Sequence, residues 1–506
     1  MYTELDLPCQ NNQGFYSKVL TGAELLAFVE GAQNFEKRDS YNTLMDYLNG
    51  GDSDKVCLIS GLVGTGKTTL MRQAIASLEP DKLERAAFVR PNDKIYSWHF
   101  SPDMDKLLEF GYKYVFIDDV TTMRDFILQS VMFSIDYAES GMKVVLTGDD
   151  SLSMFFAKKY ELSEVCVDIH TTFIPFREHN RLLGACSFDW YMRHGGSLSK
   201  TGTSEENWVP EIFTDIEALR RYIAVAMALD IQYSLMRCDY TSVSLRLLEL
   251  TEEMLAKAIN LVIEQLNLQF LCFVLSSVIW IHDNTSNSDI SISDATIDKW
   301  LEYINNYKKC YLTISELHKG YAIYYLGCID VFTVCPTEII VPGMDLDVYY
   351  LFSQPGIRYL QTETLLPSFL LDLGENEKSF IRETINQQMM ADIALFETMK
   401  SSDEKFRVFR LFVGEDEHFM VVSKKEEACC DIYSVRHNAK TDREQYRFLL
   451  DDDITNTIKI SYGKIVGKHV LYLGASHVNE DGIDFVNIEE YLTERIYGNN
   501  HHAMKS

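Results

Sequence analysis

Residues 61 to 69 read Gly-Leu-Val-Gly-Thr-Gly-Lys-Thr-Thr, and this glycine-rich segment follows the apolar run from Val56 to Ile59. A buried strand that leads into such a turn exposes backbone N–H groups that can wrap a phosphate. The helix that follows points the positive end of its dipole at the same anion. The pattern therefore predicts a strand, a phosphate-binding loop and a helix that runs from Lys67 to about Ala76.

Each position of the loop has a predicted role in binding ATP. Glycines lack a Cβ atom and let the backbone approach the phosphates, Lys67 reaches the β- and γ-phosphates, and Thr68 places its hydroxyl on Mg²⁺. A chance match in a turn is the competing explanation, and the strand before the loop and the helix-forming residues after it argue against that explanation. The expected cofactors are ATP and Mg²⁺, and the predicted contact residues are Gly61, Gly64, Thr65, Gly66, Lys67, Thr68 and Thr69.

A second apolar run, from Tyr112 to Ile117, ends in the acidic pair Asp118 and Asp119. Asp118 is expected to hold Mg²⁺ together with Thr68. Asp119 stands where efficient ATPases usually carry a glutamate that orients the attacking water. An aspartate is one methylene shorter than a glutamate, so the sequence predicts slow hydrolysis with Asp119 as the catalytic base.

A third apolar run, Lys143 to Leu146, is followed by Thr147, Gly148 and Asp149. A polar residue at this place can sense the γ-phosphate, and Thr147 and Asp149 are the two candidates. Thr147 joins Asp119 as a predicted catalytic residue. Ordinary turn chemistry at the end of a strand explains the same residues equally well, because Gly, Asp and Ser favour turns.

The charge balance of the chain is strongly acidic. Its 506 residues, enough for about three domains, carry a formal net charge of −28. Such a field repels polyanions, so sequence-independent binding to DNA is disfavoured unless a local basic patch overrides it. The basic clusters are short and acidic residues follow them closely, as after Arg436 to Lys440.

Several features predict a cytoplasmic protein that does not enter a membrane. The longest uncharged run, Gln265 to His282, approaches the length of a membrane span but contains Gln, Asn and Ser, so a buried helix is expected. The first residues, Met1 to Asp6, show no basic segment followed by an apolar one. The 11 cysteines are odd in number and lack paired CxxC spacing, which favours reduced thiols.

The sequence pattern changes along the chain in a way that predicts four parts: an N-terminal leading segment (1–50), a P-loop ATPase domain (51–184), a helical region (185–350), and a C-terminal region of short β-type runs and helices (351–506). Strand and helix patterns alternate to about residue 184, as in a parallel sheet with helices on its faces. Residues 210 to 310 are predicted to be helical. Short β-type runs and turns are predicted to dominate beyond residue 310, with helices near 365–400 and 440–450. The predicted strands of the parallel sheet lie near Val56, Phe88, Val115, Val145 and Val167 to Ile174.

Segments well beyond the phosphate loop resemble a family of bacterial AAA+-superfamily ATPases, and this resemblance covers nearly the whole chain. It implies an α/β fold class, with a P-loop AAA+-like parallel sheet and a helical and winged-helix-like middle region over residues 185–350. For residues 351–506 it implies a degenerate nuclease-like domain of restriction-endonuclease-like α/β fold. The similar segments are Gly61–Thr69, Phe116–Thr122, Gly141–Leu152, Ile169–Glu178, Asp189–Leu198, Ser353–Tyr359, Met389–Ile393 and Gln445–Arg447.

The ATPase part departs from the family at one arginine. In relatives an arginine follows an acidic-leucine-tyrosine-aspartate stretch, whereas here Glu161 to Glu164 leads into Val165. An arginine that stabilises charge on the transferred phosphoryl group contributes strongly to turnover. Arg177 and Arg181 are the remaining candidates, and a structural or surface role fits them equally well. The loss points to the same slow hydrolysis as Asp119.

The C-terminal part departs further, at the residues that a PD-(D/E)xK nuclease needs. The resemblance places Phe419, Ser434 and Arg436 where that family has the metal-binding Asp, the Glu and the Lys, and it places Ala391 at the helix acid. Phe and Ala cannot bind Mg²⁺, and Arg does not deprotonate in proteins. A nuclease-like fold without nuclease activity is predicted. A shift of register by about one or two residues would instead bring Asp416 or Glu417 into the site.

Three functional classes follow from these residues. The first is an ATP-binding protein of the AAA+ type that acts as a slow ATPase or nucleotide-dependent switch, with a protein partner or self-association. The second is a nucleic-acid-processing or defence protein with residual nuclease-like activity or DNA binding. The third is an interaction scaffold that binds nucleotide only for stability. Lys67, Thr68 and Asp118 favour the first class, whereas the net charge disfavours a nucleic-acid partner.

Overall fold

A computed structural model gives the fold of the chain. The chain folds into two compact units, of which the first comprises Met1–Ile174, Ser197–Val262 and Leu312–Val331 and the second the remaining residues. The four domains predicted from the sequence pattern stay a prediction. The structure describes residues 14–51, 55–92, 95–184, 186–198, 200–201, 209–238, 249–284, 292–307, 316–340, 348–371, 373–414 and 417–496.

The first unit contains a sheet of six strands in the order β1-β3-β4-β5-β2-β6. Five strands were predicted and are confirmed, although β6 ends at His170 instead of Ile174. β1 was not predicted, because a run of three residues is too short to show a periodic pattern. β1 pairs antiparallel with β3, and every other pair of neighbouring strands in this sheet is parallel. The strands are β1 Lys18–Leu20, β2 Val56–Ser60, β3 Ala86–Arg90, β4 Tyr114–Ile117, β5 Lys143–Thr147 and β6 Cys166–His170.

Helices cover the sheet because its central strands are apolar on both faces. All five residues of β2 are buried, which is the pattern of a parallel strand with helices on either side. The predicted helix over Lys67–Ala76 is confirmed. The other α-helices of this unit are Gly22–Val29, Ser40–Asn49, Pro80–Leu83, Ser97–Glu109, Phe126–Gln129, Ser151–Tyr160, Ile216–Ile223, Asp230–Arg237 and Glu316–Cys328. Its 3₁₀ or π segments are Ala32–Asn34, Val120–Thr122, Phe133–Ala138, Glu211–Phe213 and Ala224–Leu229. Two short strands, β7 Lys200–Thr201 and β8 Val209–Pro210, pair antiparallel.

One prediction beyond residue 310 was wrong. Glu316–Cys328 forms a helix, not a β-type run. Its Tyr and Ile content suggests a strand, but strand propensity depends on what the side chains pack against. Ala322 and Leu326 are fully buried four residues apart, whereas Tyr324 is half exposed. Burial of this one face favours the helix.

The long helix Glu252–Asn284 contains the uncharged run that was predicted to be a buried helix. This helix is long and apolar enough to span a membrane by length and composition, and 61% of its apolar window is buried within the fold. Its polar residues have partners inside the protein: the Asn267 amide donates to the Ile263 carbonyl at 2.9 Å and to the Gln361 side chain. Burial of this kind agrees with the core helix that the sequence predicted.

The second unit contains a mixed sheet of seven strands in the order β10-β12-β13-β14-β15-β17-β16. β12, β13 and β14 form an antiparallel meander, whereas β15 and β17 continue the sheet in parallel with β14. β9 and β11 pair separately. The strands are β9 Phe332–Val334, β10 Thr337–Ile339, β11 Tyr350–Phe352, β12 Phe406–Phe412, β13 His418–Lys424, β14 Cys429–Val435, β15 Lys464–Tyr472, β16 His477–Val478 and β17 Asp484–Asn487.

The helices predicted near 365–400 and 440–450 are present as Glu375–Ser401 and as a 3₁₀ helix over Arg443–Leu449. Glu375–Ser401 packs against β12 and β14. The remaining helical segments of this unit are Phe176–Leu183, Phe188–His194, Asp294–Tyr307, Pro355–Leu365, Pro367–Leu370, Lys425–Glu427, Asp452–Tyr462, Ile488–Glu490 and Tyr491–Arg495.

Candidate functional site

The glycine-rich loop lies between β2 and the helix Lys67–Ala76, where the sequence predicted it. Gly61 has a φ of 147°, and a Cβ atom there would lie 2.2 Å from the Thr171 Oγ1 atom. Gly66 precedes the helix in the left-handed region, with a φ of 87°. Both positions need glycine for conformational and steric reasons. The first N–H groups of the helix have no acceptor within it and are available to an anion.

Lys67 is buried at the start of that helix and points back over the loop. Its Nζ atom donates to the carbonyl oxygens of Gly61 at 2.7 Å and Leu62 at 3.2 Å. The same atom lies 3.1 Å from the Asp149 Oδ1 atom, and the Asp149 side chain is 62% exposed. Asp149 was one of two predicted phosphate sensors. The structure shows Asp149 as a counter-ion of Lys67, so an entering phosphate would compete with this carboxylate. Its role as a phosphate sensor stays a prediction.

Asp118 is the buried acid of the site. Its carboxylate accepts hydrogen bonds from Thr68 Oγ1 at 3.2 Å and from Thr147 Oγ1 at 2.6 Å, and it forms an ion pair with the Arg90 guanidinium. A threonine hydroxyl and a carboxylate are hard oxygen donors of the kind that Mg²⁺ prefers. The close approach of Thr68 and Asp118 therefore fits the predicted metal site.

Asp119 follows Asp118 in an uncommon backbone conformation. Its φ is 62°, in the left-handed region, which aspartate tolerates better than most residues. The Asp119 N–H donates to Thr147 Oγ1 at 3.4 Å, and its carbonyl accepts from the Thr122 hydroxyl at 2.9 Å. The chain turns sharply at the end of β4, so Asp119 stays beside Asp118 and Thr147.

Arg38 binds the main chain of the phosphate loop, a role that the residues around it in the sequence do not indicate. Its guanidinium donates to the carbonyl oxygens of Thr65 at 2.6 Å, Thr171 at 3.0 Å and Phe173 at 3.0 Å. The side chain is 6% exposed. Arg38 therefore joins the phosphate loop to the chain after β6. Its acceptors are main-chain carbonyls of distant segments, which leave no sequence signal.

A buried polar cluster follows the Thr147–Asp149 segment. The Asp150 carboxylate caps the helix Ser151–Tyr160 by accepting from the Ser153 N–H at 2.9 Å, and it accepts from the Ser234 hydroxyl at 2.6 Å. Burial, with smaller contributions from the nearby Asp150 and Asp149, raises the pKa of Asp230 well above that of an ordinary aspartate. Asp230 and Ser234 belong to one helix, so this cluster connects the end of β5 to the helix Asp230–Arg237.

The remaining predicted residues of the ATPase site are partly brought together. Thr65 is buried and its hydroxyl donates to the Leu62 carbonyl at 2.8 Å, whereas Thr69 is exposed in the first turn of the helix. Gly64 accepts from the Leu198 N–H at 2.8 Å. Arg177 and Arg181 belong to the second unit, and their role in phosphoryl transfer stays a prediction.

In the second unit, the residues at the predicted nuclease positions are buried and mostly uncharged. Phe419 is fully buried, and Ala391 and Ser434 are nearly so. The Arg436 Nη2 atom donates to the Glu417 Oε1 atom at 2.8 Å, and both side chains are largely buried. Glu417 thus has a guanidinium as its counter-ion. Asp416 lies outside the described residues.

A cavity of about 350 Å³ lies beside this ion pair within the second unit. Glu417 and Arg436 line it, together with Glu383 and Gln388 of the helix Glu375–Ser401. Among the residues that the structure describes, no group of three His, Cys, Asp or Glu side chains is arranged to hold a metal ion. The nine cysteines of the described residues are present as thiols, and the reduced state of the chain's cysteines stays a prediction.

Part of the chain matches a known protein family. Residues 53–180 match the family model described as an AAA domain, and this range agrees with the position of the phosphate loop, Asp118 and Thr147. No curated protein matches the chain significantly.

Three solved structures show distant similarity to this chain. The ORC2 protein of Aeropyrum pernix, determined as ADPNP–ADP complexes, is 11% identical over 67% of this chain and 96% of its own, with a TM-score of 0.27. C. elegans PCH-2 is 11% identical over 57% of this chain and 73% of its own, with a TM-score of 0.24. Cdc6p of Pyrobaculum aerophilum is 12% identical over 70% of this chain and 96% of its own, with a TM-score of 0.22. TM-scores of this size establish no shared overall fold.

Proposed function

We propose that this chain, whose residues 53–180 match an AAA domain, binds ATP with Mg²⁺ and hydrolyses it slowly as a nucleotide-dependent switch. One observation carries the proposal. The phosphate loop places the Thr68 hydroxyl 3.2 Å from the Asp118 carboxylate, with the Lys67 ammonium buried on the same loop. These three groups are the minimum that a P-loop site needs for phosphate and metal.

Different residues of the site would bind the phosphates and the metal ion. The loop N–H groups and Lys67 would hold the β- and γ-phosphates, and Thr68 and Asp118 would hold Mg²⁺. When bound, the ion supplies positive charge that stabilises the phosphoryl group during transfer. Thr147 orients Asp118 through their 2.6 Å hydrogen bond. Thr147 therefore has a positioning role in this proposal.

The polar cluster after β5 supports a switch. In the structure Asp149 is the counter-ion of Lys67, and its neighbour Asp150 bonds to Ser234 on the helix Asp230–Arg237. A γ-phosphate would take Lys67 from Asp149 and free the segment that holds this helix. Binding of nucleotide would then bias the position of the helix through contacts that differ between the two states.

A direct assay tests the proposal. Purified chain is titrated with ATP in Mg²⁺ by calorimetry, and phosphate release is then followed with and without DNA. We expect binding together with hydrolysis that DNA does not change, because the net charge of −28 opposes a polyanion. Absence of ATP binding would refute the proposal. Hydrolysis that requires DNA would instead support the nucleic-acid-processing alternative.

Slow hydrolysis is attributed to Asp119. Replacing Asp119 by glutamate lengthens the carboxylate by one methylene and should raise the turnover number by about tenfold, since general-base catalysis depends on reach to the attacking water. A glutamate in the left-handed backbone conformation of this position, with a φ of 62°, is expected to lower the stability of the fold. Thermal unfolding of the variant is therefore measured as well. Steady-state phosphate release at saturating ATP measures the effect.

Asp119→Asn is the matched variant, because it keeps the size of the side chain and removes the base. It should turn over more slowly than the wild type while binding ATP equally well. A wild-type turnover of about 1 per second or more would contradict the assignment of a slow enzyme.

For the C-terminal part, we propose a nuclease-like fold that does not cut nucleic acid. The helix Glu375–Ser401, the meander β12–β14, the helix Asp452–Tyr462 and the parallel strand β15 give an α/β arrangement that supports such a fold. Arg436 occupies the position of the expected lysine and pairs with Glu417, the acid that a shifted register would use. A winged-helix-like middle region remains part of the same proposal.

This proposal predicts no cleavage of single- or double-stranded DNA or RNA in either Mg²⁺ or Mn²⁺. The expected metal positions hold uncharged side chains, and the nearby carboxylate is already neutralised by a guanidinium. Gel assays with the pure protein measure the outcome. Metal-dependent cleavage that is lost when Asp416 and Glu417 are both changed to Ala would show that the site is active in the shifted register.

A further inference from the structure

Arg90 occupies a place in the candidate site that the sequence did not indicate. It is the last residue of β3, and β3 pairs in parallel with β4 so that Val89 lies opposite Ile117. The Asp118 N–H donates to the Val89 carbonyl at 2.9 Å, which places Arg90 directly beside Asp118. The Arg90 guanidinium pairs with the Asp118 carboxylate, and its own side chain is 50% exposed.

The ion pair meets an electrostatic requirement of the buried Asp118 carboxylate. Asp118 is buried, and a buried carboxylate requires a counter-charge or strong hydrogen bonds. Thr68 and Thr147 supply hydrogen bonds, and Arg90 supplies the charge. A divalent ion between Thr68 and Asp118 would provide that charge itself. The half-exposed arginine would then lose its partner beside newly bound phosphates.

We propose that Arg90 is a phosphate-contacting arginine of this site, which neutralises Asp118 before nucleotide binds and moves to the terminal phosphate of Mg·ATP afterwards. This assignment rests on the proposed ATP-binding function. A guanidinium offers several donors in a planar fork and recognises phosphate oxygens in pairs. Because Mg²⁺ would replace the guanidinium as the counter-charge of Asp118, the exchange would not leave that buried carboxylate unpaired.

Two other arginines of the first unit donate hydrogen bonds to main-chain carbonyls. Arg38 is buried and donates to three main-chain carbonyls of the loop and the chain after β6. The Arg237 Nη1 atom donates to the Thr121 carbonyl at 2.6 Å. Arg90 differs from both because its partner is the metal-binding carboxylate, whose charge requirement changes when nucleotide arrives.

Calorimetry with ATP and ADP, each in Mg²⁺ and in EDTA, tests the assignment on the full chain. Arg90→Gln should weaken Mg·ATP binding by about tenfold or more, as expected for loss of a charge-assisted contact. ADP lacks the terminal phosphate, so its affinity should change by less than about threefold. In EDTA the wild-type arginine stays on Asp118, and the variant should lose little affinity for either nucleotide. Arg90→Lys should restore part of the ATP preference, because it keeps the charge without the planar fork.

Arg220→Gln is the matched control. Arg220 is a half-exposed arginine of the same unit that pairs with Glu217 at 2.8 Å, and its loss should leave both affinities unchanged. An Arg90→Gln variant whose ratio of ATP to ADP affinity equals that of the wild type would overturn the assignment while leaving ATP binding intact. A wild-type chain that binds neither nucleotide would overturn the proposed function and this assignment with it.

Discussion

Replacing Lys67 by alanine is expected to lower the affinity of the chain for Mg·ATP by about 100-fold or more. The Lys67 ammonium is the only side-chain cation that the described part of the phosphate loop, residues 61–69, carries. It is buried and held over the loop by the Gly61 and Leu62 carbonyls, so its position is set before nucleotide arrives. Without it, the phosphate charge would be balanced by N–H groups and Mg²⁺ alone.

Calorimetry of the purified variant measures this effect, and thermal unfolding of the variant checks that the loop still folds. Folding should survive, because Arg38 and the Thr65 hydroxyl bind the loop independently of Lys67. Lys82→Ala is a suitable control, since Lys82 pairs with Glu79 and bonds to the Asn49 side chain and is not part of the phosphate loop. Equal ATP affinity in the wild type and Lys67→Ala would contradict the candidate site as a whole.

Replacing Asp392 by alanine should destabilise the chain by about 3 to 5 kcal/mol, the range for breaking a buried ion pair on one side. Asp392 lies in the helix Glu375–Ser401 and pairs with the guanidinium of Arg410, which is 3% exposed. Its carboxylate also accepts from the Tyr349 hydroxyl at 2.6 Å and the Gln388 amide at 3.0 Å. Arg358 is 3.7 Å away and equally buried. Loss of the carboxylate would leave two buried cations without a counter-ion.

Urea denaturation followed by tyrosine and tryptophan fluorescence measures the loss of stability. The control is Glu363→Ala, which removes a carboxylate that pairs with the half-exposed Arg382 at 2.8 Å in the same unit. Pairs of this kind are worth about 1 kcal/mol or less. Similar losses in the two variants would show that the Asp392 cluster is not the buried ionic centre that the contacts indicate.

Part of the site was predictable because its geometry is local in the chain. Gly61, Gly66 and Lys67 lie within one strand–loop–helix segment, where backbone conformation and residue type specify each other. The helix Lys67–Ala76 and the acids at the end of β4 followed from the same kind of reasoning. Slow hydrolysis, the domain boundaries and the nuclease-like fold stay predictions.

Other contacts were not predictable, because their partners are far apart in sequence. Arg90 meets Asp118 only because β3 and β4 pair in register, and Asp149 reaches Lys67 only because β5 lies next to β2. The helix Glu316–Cys328 was missed for a related reason, since burial of one face outweighed its strand propensity.

By itself, then, the sequence determined the phosphate loop, the strand–helix alternation around it and the acid at the end of β4, all of which depend on residues close together in the chain. Tertiary structure alone decided which charges neutralise one another. Lys67 pairs with Asp149, Asp118 with Arg90, and Glu417 with Arg436. A charge that is buried away from water needs an opposite charge close to it, and the packing of the strands decides which one is close. Strand order depends on the whole fold, so no single segment of the sequence predicts these pairs.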